Sequence, residues 1–80
     1  MADLILYEKT GCPWCIKVLN FAGGKGIEFE LRNIADPKIA EELIVRGGKR
    51  QVPYLVDEKN GTEMYESADI IEYLKNRLIK

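Results

Sequence analysis

The sequence predicts an α/β domain built on one four-stranded mixed sheet with helices on its faces. Three observations predict it. Short apolar or alternating runs at 3–7, 27–33, 52–56 and 62–65 read as strands. Stretches of helical periodicity follow at 13–24, 37–46 and 67–78. The first strand-like run enters its helix through Gly11-Cys12-Pro13-Trp14-Cys15, so the element order is βαβαββα.

The first strand, ending in Leu4-Ile5-Leu6-Tyr7, is a continuous apolar run, as a strand buried on both faces requires. A polar loop, Glu8 to Gly11, ends it. Pro13 suits the first turn of a helix, where its missing N–H would have had no partner. Cys15, Val18, Leu19 and Ala22 fall at i, i+3, i+4 and i+7 and make the buried stripe. Gly23 and Gly24 weaken the last turn, and Gly26 closes it in a left-handed conformation. In the second strand, Ile27, Phe29 and Leu31 alternate with polar residues and share one face. A strand–helix–strand order predicts a parallel pair joined by a right-handed crossover.

Asp36-Pro37 is a cap followed by proline at the first helical position. Ile39, Ala40, Leu43 and Ile44 supply that helix with an apolar stripe, and Gly47-Gly48 ends it. Lys49 and Arg50 read as solvated loop charges. Val52-Pro53-Tyr54-Leu55-Val56 reads as a strand with proline at its start, where it is tolerated. Asn60-Gly61 signals a hairpin into a short edge strand, Thr62 to Tyr65. Ser67 then caps the last helix, Asp69 complements its positive end, and Ile70, Ile71, Leu74 and Leu78 face inward.

The chemistry of the chain is concentrated in its two cysteines. Cys12 falls at the cap of the first helix, where the free N–H groups of Trp14 and Cys15 favour a thiolate. Helix N-termini, nearby cations and Cys-x-x-Cys spacing lower a thiol pKa from about 8.5 to roughly 3.5–7.5. Lys9 and Lys17 are the cations nearest in sequence, and Pro13 fixes the helix start. Cys15 lies one turn on, on the same face and deeper. Cys12 therefore reads as the attacking thiol and Cys15 as the resolving one. Two other uses of the pair stay open. A zinc site needs four ligands; with no His and no further Cys, it would require a second chain or unusual carboxylates. A structural disulfide would close too short a loop to be an effective staple.

Composition bounds the rest. Eighty residues, 46% of them hydrophobic, make one small domain with a thin core, expected over 1–80. A net charge of −1, with 12 basic and 13 acidic residues interspersed, argues against nucleic acid as a partner. No apolar run approaches the roughly 20 residues of a membrane span. The start of the chain lacks the basic and apolar regions of a signal peptide, so a cytoplasmic monomer is expected. The absence of His excludes Ser-His and Cys-His catalysis within this chain.

A Cys-x-x-Cys at a strand-to-helix turn resembles the thioredoxin fold. Tyr7-Glu8-Lys9-Thr10-Gly11-Cys12-Pro13-Trp14-Cys15 resembles the active-site stretch of dithiol glutaredoxins, with Trp14 where Tyr is usual. Val52-Pro53 resembles the cis-proline loop of that family, with Gln51 where Thr is usual. The stretch Tyr65-Glu66-Ser67-Ala68-Asp69-Ile70 is instead similar to the N-terminal domain of glutathione transferases, where a Glu-Ser pair holds the γ-glutamyl end of glutathione. The resemblance implies a sheet in the order 2-1-3-4, thiol–disulfide oxidoreductase activity, and glutathione as cosubstrate with no bound cofactor or metal. It implies glutathione contacts from Lys9, Trp14, Gln51, Val52, Pro53, Glu66 and Ser67. Disulfide-containing proteins are the implied substrates. A flavin-dependent reductase is the alternative donor, and a two-chain iron–sulfur carrier is an alternative function.

Overall fold

The computed structural model describes residues 4–79, with side chains described as far as Arg77. Asp3 and the Leu78 side chain, both assigned above, lie outside the described residues. The elements are β1 (Leu4–Glu8), α1 (Pro13–Gly24), β2 (Glu30–Asn33), α2 (Pro37–Gly47), β3 (Tyr54–Asp57), β4 (Thr62–Met64) and α3 (Ser67–Ile79). The sheet order is β2-β1-β3-β4. β1 and β2 are parallel, whereas β3 runs antiparallel to both β1 and β4. This is the thioredoxin-like arrangement.

Alternation along the two central strands builds two cores. Ile5, Tyr7, Tyr54 and Val56 point to one face and pack with Ile34 and with Ala40 and Leu43 of α2. Leu4, Leu6 and Leu55 point to the other and pack with Val18 of α1 and Ile70 and Leu74 of α3. Both central strands are covered above and below, which is why they read as unbroken apolar runs. No helix among the described residues is long and apolar enough to cross a membrane.

Caps fall close to where the sequence puts them. The Asp36 carboxylate accepts the Lys38 N–H at 2.9 Å. Gly48, at φ 90°, closes α2. Gly47 lies so close to the hydroxyl of Tyr65 and the ring of Tyr54 that a Cβ there would collide with them.

The structure corrects several boundaries and faces. β2 begins at Glu30, not Ile27. Ile27 and Phe29 still pack on the second core, but Leu31 is 52% exposed, because it lies on an outer strand near the limit of the helix cover. Ile44 is also exposed, at the flank of the buried Ala40–Leu43 stripe. β3 begins at Tyr54, after the loop that holds Val52 and Pro53, and Tyr65 lies outside β4. Ser67 is the first residue of α3 and not its cap. Glu66 holds the cap position, and its carbonyl accepts the Ile70 N–H at 3.0 Å.

Candidate active site

The site is assembled at the C-terminal end of β1. Gly11, at φ 84°, turns the chain after Thr10. The Asn33 amide of β2 donates to the Thr10 hydroxyl at 2.9 Å and ties that loop to the sheet. The Cys12 N–H bonds to the Lys9 carbonyl at 3.1 Å, and the Cys12 carbonyl accepts from Ile16 at 3.0 Å, opening α1. Cys12 occupies the cap position in an extended conformation, with Pro13 at the first helical position.

The two thiols sit in opposite environments. Both are free; Cys12 is half-buried, whereas Cys15 is 1% exposed. Partial burial opposes ionisation of Cys12, but the N–H groups of Cys15 and Trp14, the Cys15 thiol and the Lys9 charge outweigh it. Its pKa is lowered. The sulfur makes no capping hydrogen bond of ordinary geometry, so it is stabilised by facing dipoles and stays open to attack. Cys15 is pushed up to about 12, first by burial, then by the neighbouring Cys12 and Glu8. It therefore remains a thiol while Cys12 is charged.

Trp14, between the two cysteines in sequence, borders a cleft of about 440 Å³. Trp14 and Lys17 of α1, Gln51, Val52 and Pro53 of the loop before β3, and Glu66, Ser67 and Ala68 at the start of α3 line it. The Val52-Pro53 peptide bond is cis. Six of the seven residues expected around a ligand are thus brought together, although they come from three distant segments. Lys9 is the exception: it does not line the cleft, but its charge acts on Cys12. Lys17, the second cation near the cysteines in sequence, lines the cleft wall.

Two features escape a reading of the sequence. Ala68 lines the cleft next to Ser67, a position that follows only from the helix start. Glu66 is left-handed at φ 67°, a conformation that costs a non-glycine residue about 1–3 kcal/mol. Its carboxylate accepts a long hydrogen bond from the Gln51 amide at 3.4 Å, closing one side of the cleft. The tyrosines pack as expected. Tyr54 is buried, its ring 4.4 Å from that of Tyr65, and the Lys49 ammonium stands 5.0 Å over the Tyr65 ring.

Comparison with known proteins finds glutathione transferases and glutaredoxins. The family model for the glutathione S-transferase N-terminal domain matches residues 6–78. The chain is similar to isoprene-epoxide–glutathione S-transferase of Rhodococcus sp. strain AD45, at 38% identity over 65 residues, or 81% of this chain. It spans 25% of that curated relative's length. Among solved structures, glutathione transferase Omega 3C of Trametes versicolor superposes with a TM-score of 0.85 at 24% identity, over 100% of this chain and 35% of its own. A glutaredoxin of Archaeoglobus fulgidus superposes with a TM-score of 0.74 at 23% identity, over 92% of this chain and 87% of its own. With nearly its whole length matched and the same fold in both groups of structures, the chain belongs to the glutathione S-transferase N-terminal domain family.

Proposed function

We propose that this protein is a glutaredoxin-type thiol–disulfide oxidoreductase that reduces protein disulfides or glutathione mixed disulfides. The observation that carries the reading is the asymmetry of the two thiols. One is accessible and favours the anion; the other is buried beneath it and keeps its proton. A thiolate, not a thiol, attacks a disulfide. The Cys12 sulfur attacks one sulfur of the substrate, forming a mixed disulfide and releasing the first substrate thiolate, which takes a proton from solvent. The Cys12 charge, which added to the effect of burial in keeping Cys15 protonated, is then gone. Cys15 loses its proton, attacks the Cys12 sulfur and releases the second substrate thiol. Two electrons have passed from the dithiol to the substrate. Two glutathione molecules return the Cys12–Cys15 disulfide to the dithiol and leave as oxidised glutathione.

The cleft supplies a reason for glutathione. Val52, before β3, offers backbone for an added strand to the cysteinyl unit. Ser67, at the start of α3, suits the γ-glutamyl carboxylate. The Glu66 carboxylate suits its ammonium group, and Lys9 with Gln51 suits the glycine carboxylate. Trp14 and Pro53 form apolar walls, and Pro13 and Lys9 set up the thiolate.

Mass spectrometry of Cys15→Ser after oxidised glutathione tests the reading. One glutathionyl adduct on Cys12 is expected, because the resolving thiol is gone. No adduct, together with no reduction of the wild-type disulfide by glutathione, would remove glutathione as the donor. Reduction by a flavin-dependent reductase instead would leave the dithiol chemistry with a different source of electrons. Glutathione transfer to an electrophile is a second reading, favoured by the similarity to the Rhodococcus transferase. Conjugation of glutathione to an epoxide by Cys12→Ser protein would establish it, since that reaction needs no protein disulfide.

A further inference from the structure

We propose that Tyr65 is a positioning residue for glutathione: its hydroxyl ties the loop before β3 to the start of α3 and so fixes the distance between two walls of the cleft. The inference rests on the glutathione reading above and names a residue that reading does not use. One wall is Gln51, Val52 and Pro53; another is Glu66, Ser67 and Ala68. Tyr65 lines neither. It stands one residue before Glu66 and reaches across to the loop. The Lys49 N–H donates to the Tyr65 hydroxyl at 3.2 Å, and that hydroxyl donates to the Lys49 carbonyl at 2.9 Å. One side-chain oxygen thus satisfies both backbone groups of Lys49.

Little else holds that loop. Among the described residues, Lys49 to Val52 make no backbone–backbone hydrogen bond, and strand pairing begins only at Tyr54. The Gln51–Glu66 bond, at 3.4 Å, is the other link between the same two segments. Tyr65 is itself anchored. Its ring lies 4.4 Å from that of buried Tyr54, and the Lys49 ammonium stands 5.0 Å over it. Gly47 leaves room for the hydroxyl, which a Cβ there would meet. In the reading above, glutathione is held from both walls at once: by Gln51 and the Val52 backbone on one, and by Glu66 and Ser67 on the other. Contacts of that kind fail when one wall drifts, because hydrogen bonds weaken steeply with distance and angle. A small disulfide that spans neither wall is indifferent to their separation.

Tyr65→Phe keeps the ring and removes both bonds to Lys49. The test follows adduct formation on Cys12 by mass spectrometry in Cys15→Ser protein. The Cys12 thiolate attacks one sulfur of oxidised glutathione, forming the mixed disulfide and releasing one glutathione thiolate. Hydroxyethyl disulfide, which has no carboxylate, amine or peptide group, is run beside it and reacts by the same exchange. The quantity read is the ratio of the two second-order rate constants, with free mercaptoethanol as the reference thiol. Tyr65→Phe lowers the ratio by about five- to tenfold, the factor that roughly one net hydrogen bond is worth. The midpoint of Cys12 alkylation stays at the wild-type value, because the groups acting on that thiol belong to residues 9, 14 and 15. Tyr73→Phe is the control. It removes a different tyrosine hydroxyl, the one that donates to Asp57 at 2.6 Å, and leaves the ratio as in the wild type.

An unchanged ratio in Tyr65→Phe overturns the proposal. So does an equal fall in Tyr73→Phe, which would make the effect a general loosening of the fold. A shifted alkylation midpoint in Tyr65→Phe also overturns it, since the hydroxyl would then act on the thiol and not through the loop. If the wild-type ratio matches that of mercaptoethanol, the cleft does not recognise glutathione, and that reading falls together with this inference. A wild-type ratio above the reference, unmoved by Tyr65→Phe, leaves the glutathione reading intact and removes only this one.

Discussion

The two ends of the central strand pair hold anions in opposite ways. At the end where Leu4 pairs with Asp57, the Asp57 carboxylate is fully buried and saturated. The Tyr73 hydroxyl donates to it at 2.6 Å, the Asn60 amide at 2.8 Å, and Arg77 lies at 3.4 Å. Burial alone would raise its pKa, but the bonds from Tyr73 and Asn60 and the Arg77 charge win and lower it. At the other end, beyond the Tyr7–Tyr54 pair, Cys12 is half-exposed and meets dipoles and one cation. Both anions are favoured. The carboxylate has its acceptor capacity filled and cannot react, whereas the sulfur keeps an open side. A site becomes a nucleophile when its charge is stabilised without being enclosed.

The largest effect expected from this comparison is loss of chemistry at one end without loss of fold. Cys12→Ser should bring disulfide reduction down to background while urea denaturation stays within about 0.5 kcal/mol of wild type, as for a surface change. A large loss of stability would mean that Cys12 is structural. The reverse holds at the other end. Asp57→Ala removes a buried acceptor and strands Tyr73 and Asn60, costing about 3 kcal/mol in urea denaturation. The rate of Cys12 alkylation should be unchanged in the folded fraction. A matching change in alkylation would show that the two ends are coupled.

Acid and alkali separate them further. The folded pKa of Asp57 is depressed. Its contribution to stability is therefore complete above the unfolded value of about 3.9 and is lost as pH falls through the folded value. Asp57→Asn should abolish that part of the acid dependence in a pH series of denaturation curves. For Cys12, also depressed, alkylation by iodoacetamide should titrate with a midpoint below the 8.5 or so of free cysteine. The associated stability is complete above the unfolded pKa and lost as pH falls through the folded one. Cys15, 1% exposed and raised first of all by its burial, should stay unalkylated through neutral pH in Cys12→Ser protein. The smallest effect is that of Lys9→Gln. It should move the Cys12 midpoint upward and slow alkylation at neutral pH by about two- to fivefold, the range of an exposed charge pair.

Much of this was legible in the residues. Unbroken apolar runs identified β1 and β3, because both are covered on two faces. The Asp36-Pro37 cap and the glycine stops located α2 to within a residue. The cysteines announced themselves by spacing and by the proline between them. What could not be read depends on contacts distant in sequence. Leu31 satisfies the strand alternation as well as Phe29 does, and only its place on the outer strand leaves it exposed. That Lys17 shares a cleft with Gln51, Pro53 and Glu66 follows only from the packing of the Gln51–Pro53 loop and the α3 start beside α1. Nothing in Tyr65-Glu66-Ser67 signals a left-handed glutamate, since Glu rarely adopts that conformation.

That glutamate sets two selective pressures against each other. At φ 67°, glycine is the residue the backbone prefers. A population sorted only for thermal resistance should drift from Glu66 toward Gly or Asn, whereas one sorted for the proposed binding of glutathione through Glu66 should hold the acid and tolerate the strain. On that proposal, the identity of residue 66 in any descendant of this protein would be a record of whether its lineage had kept that binding.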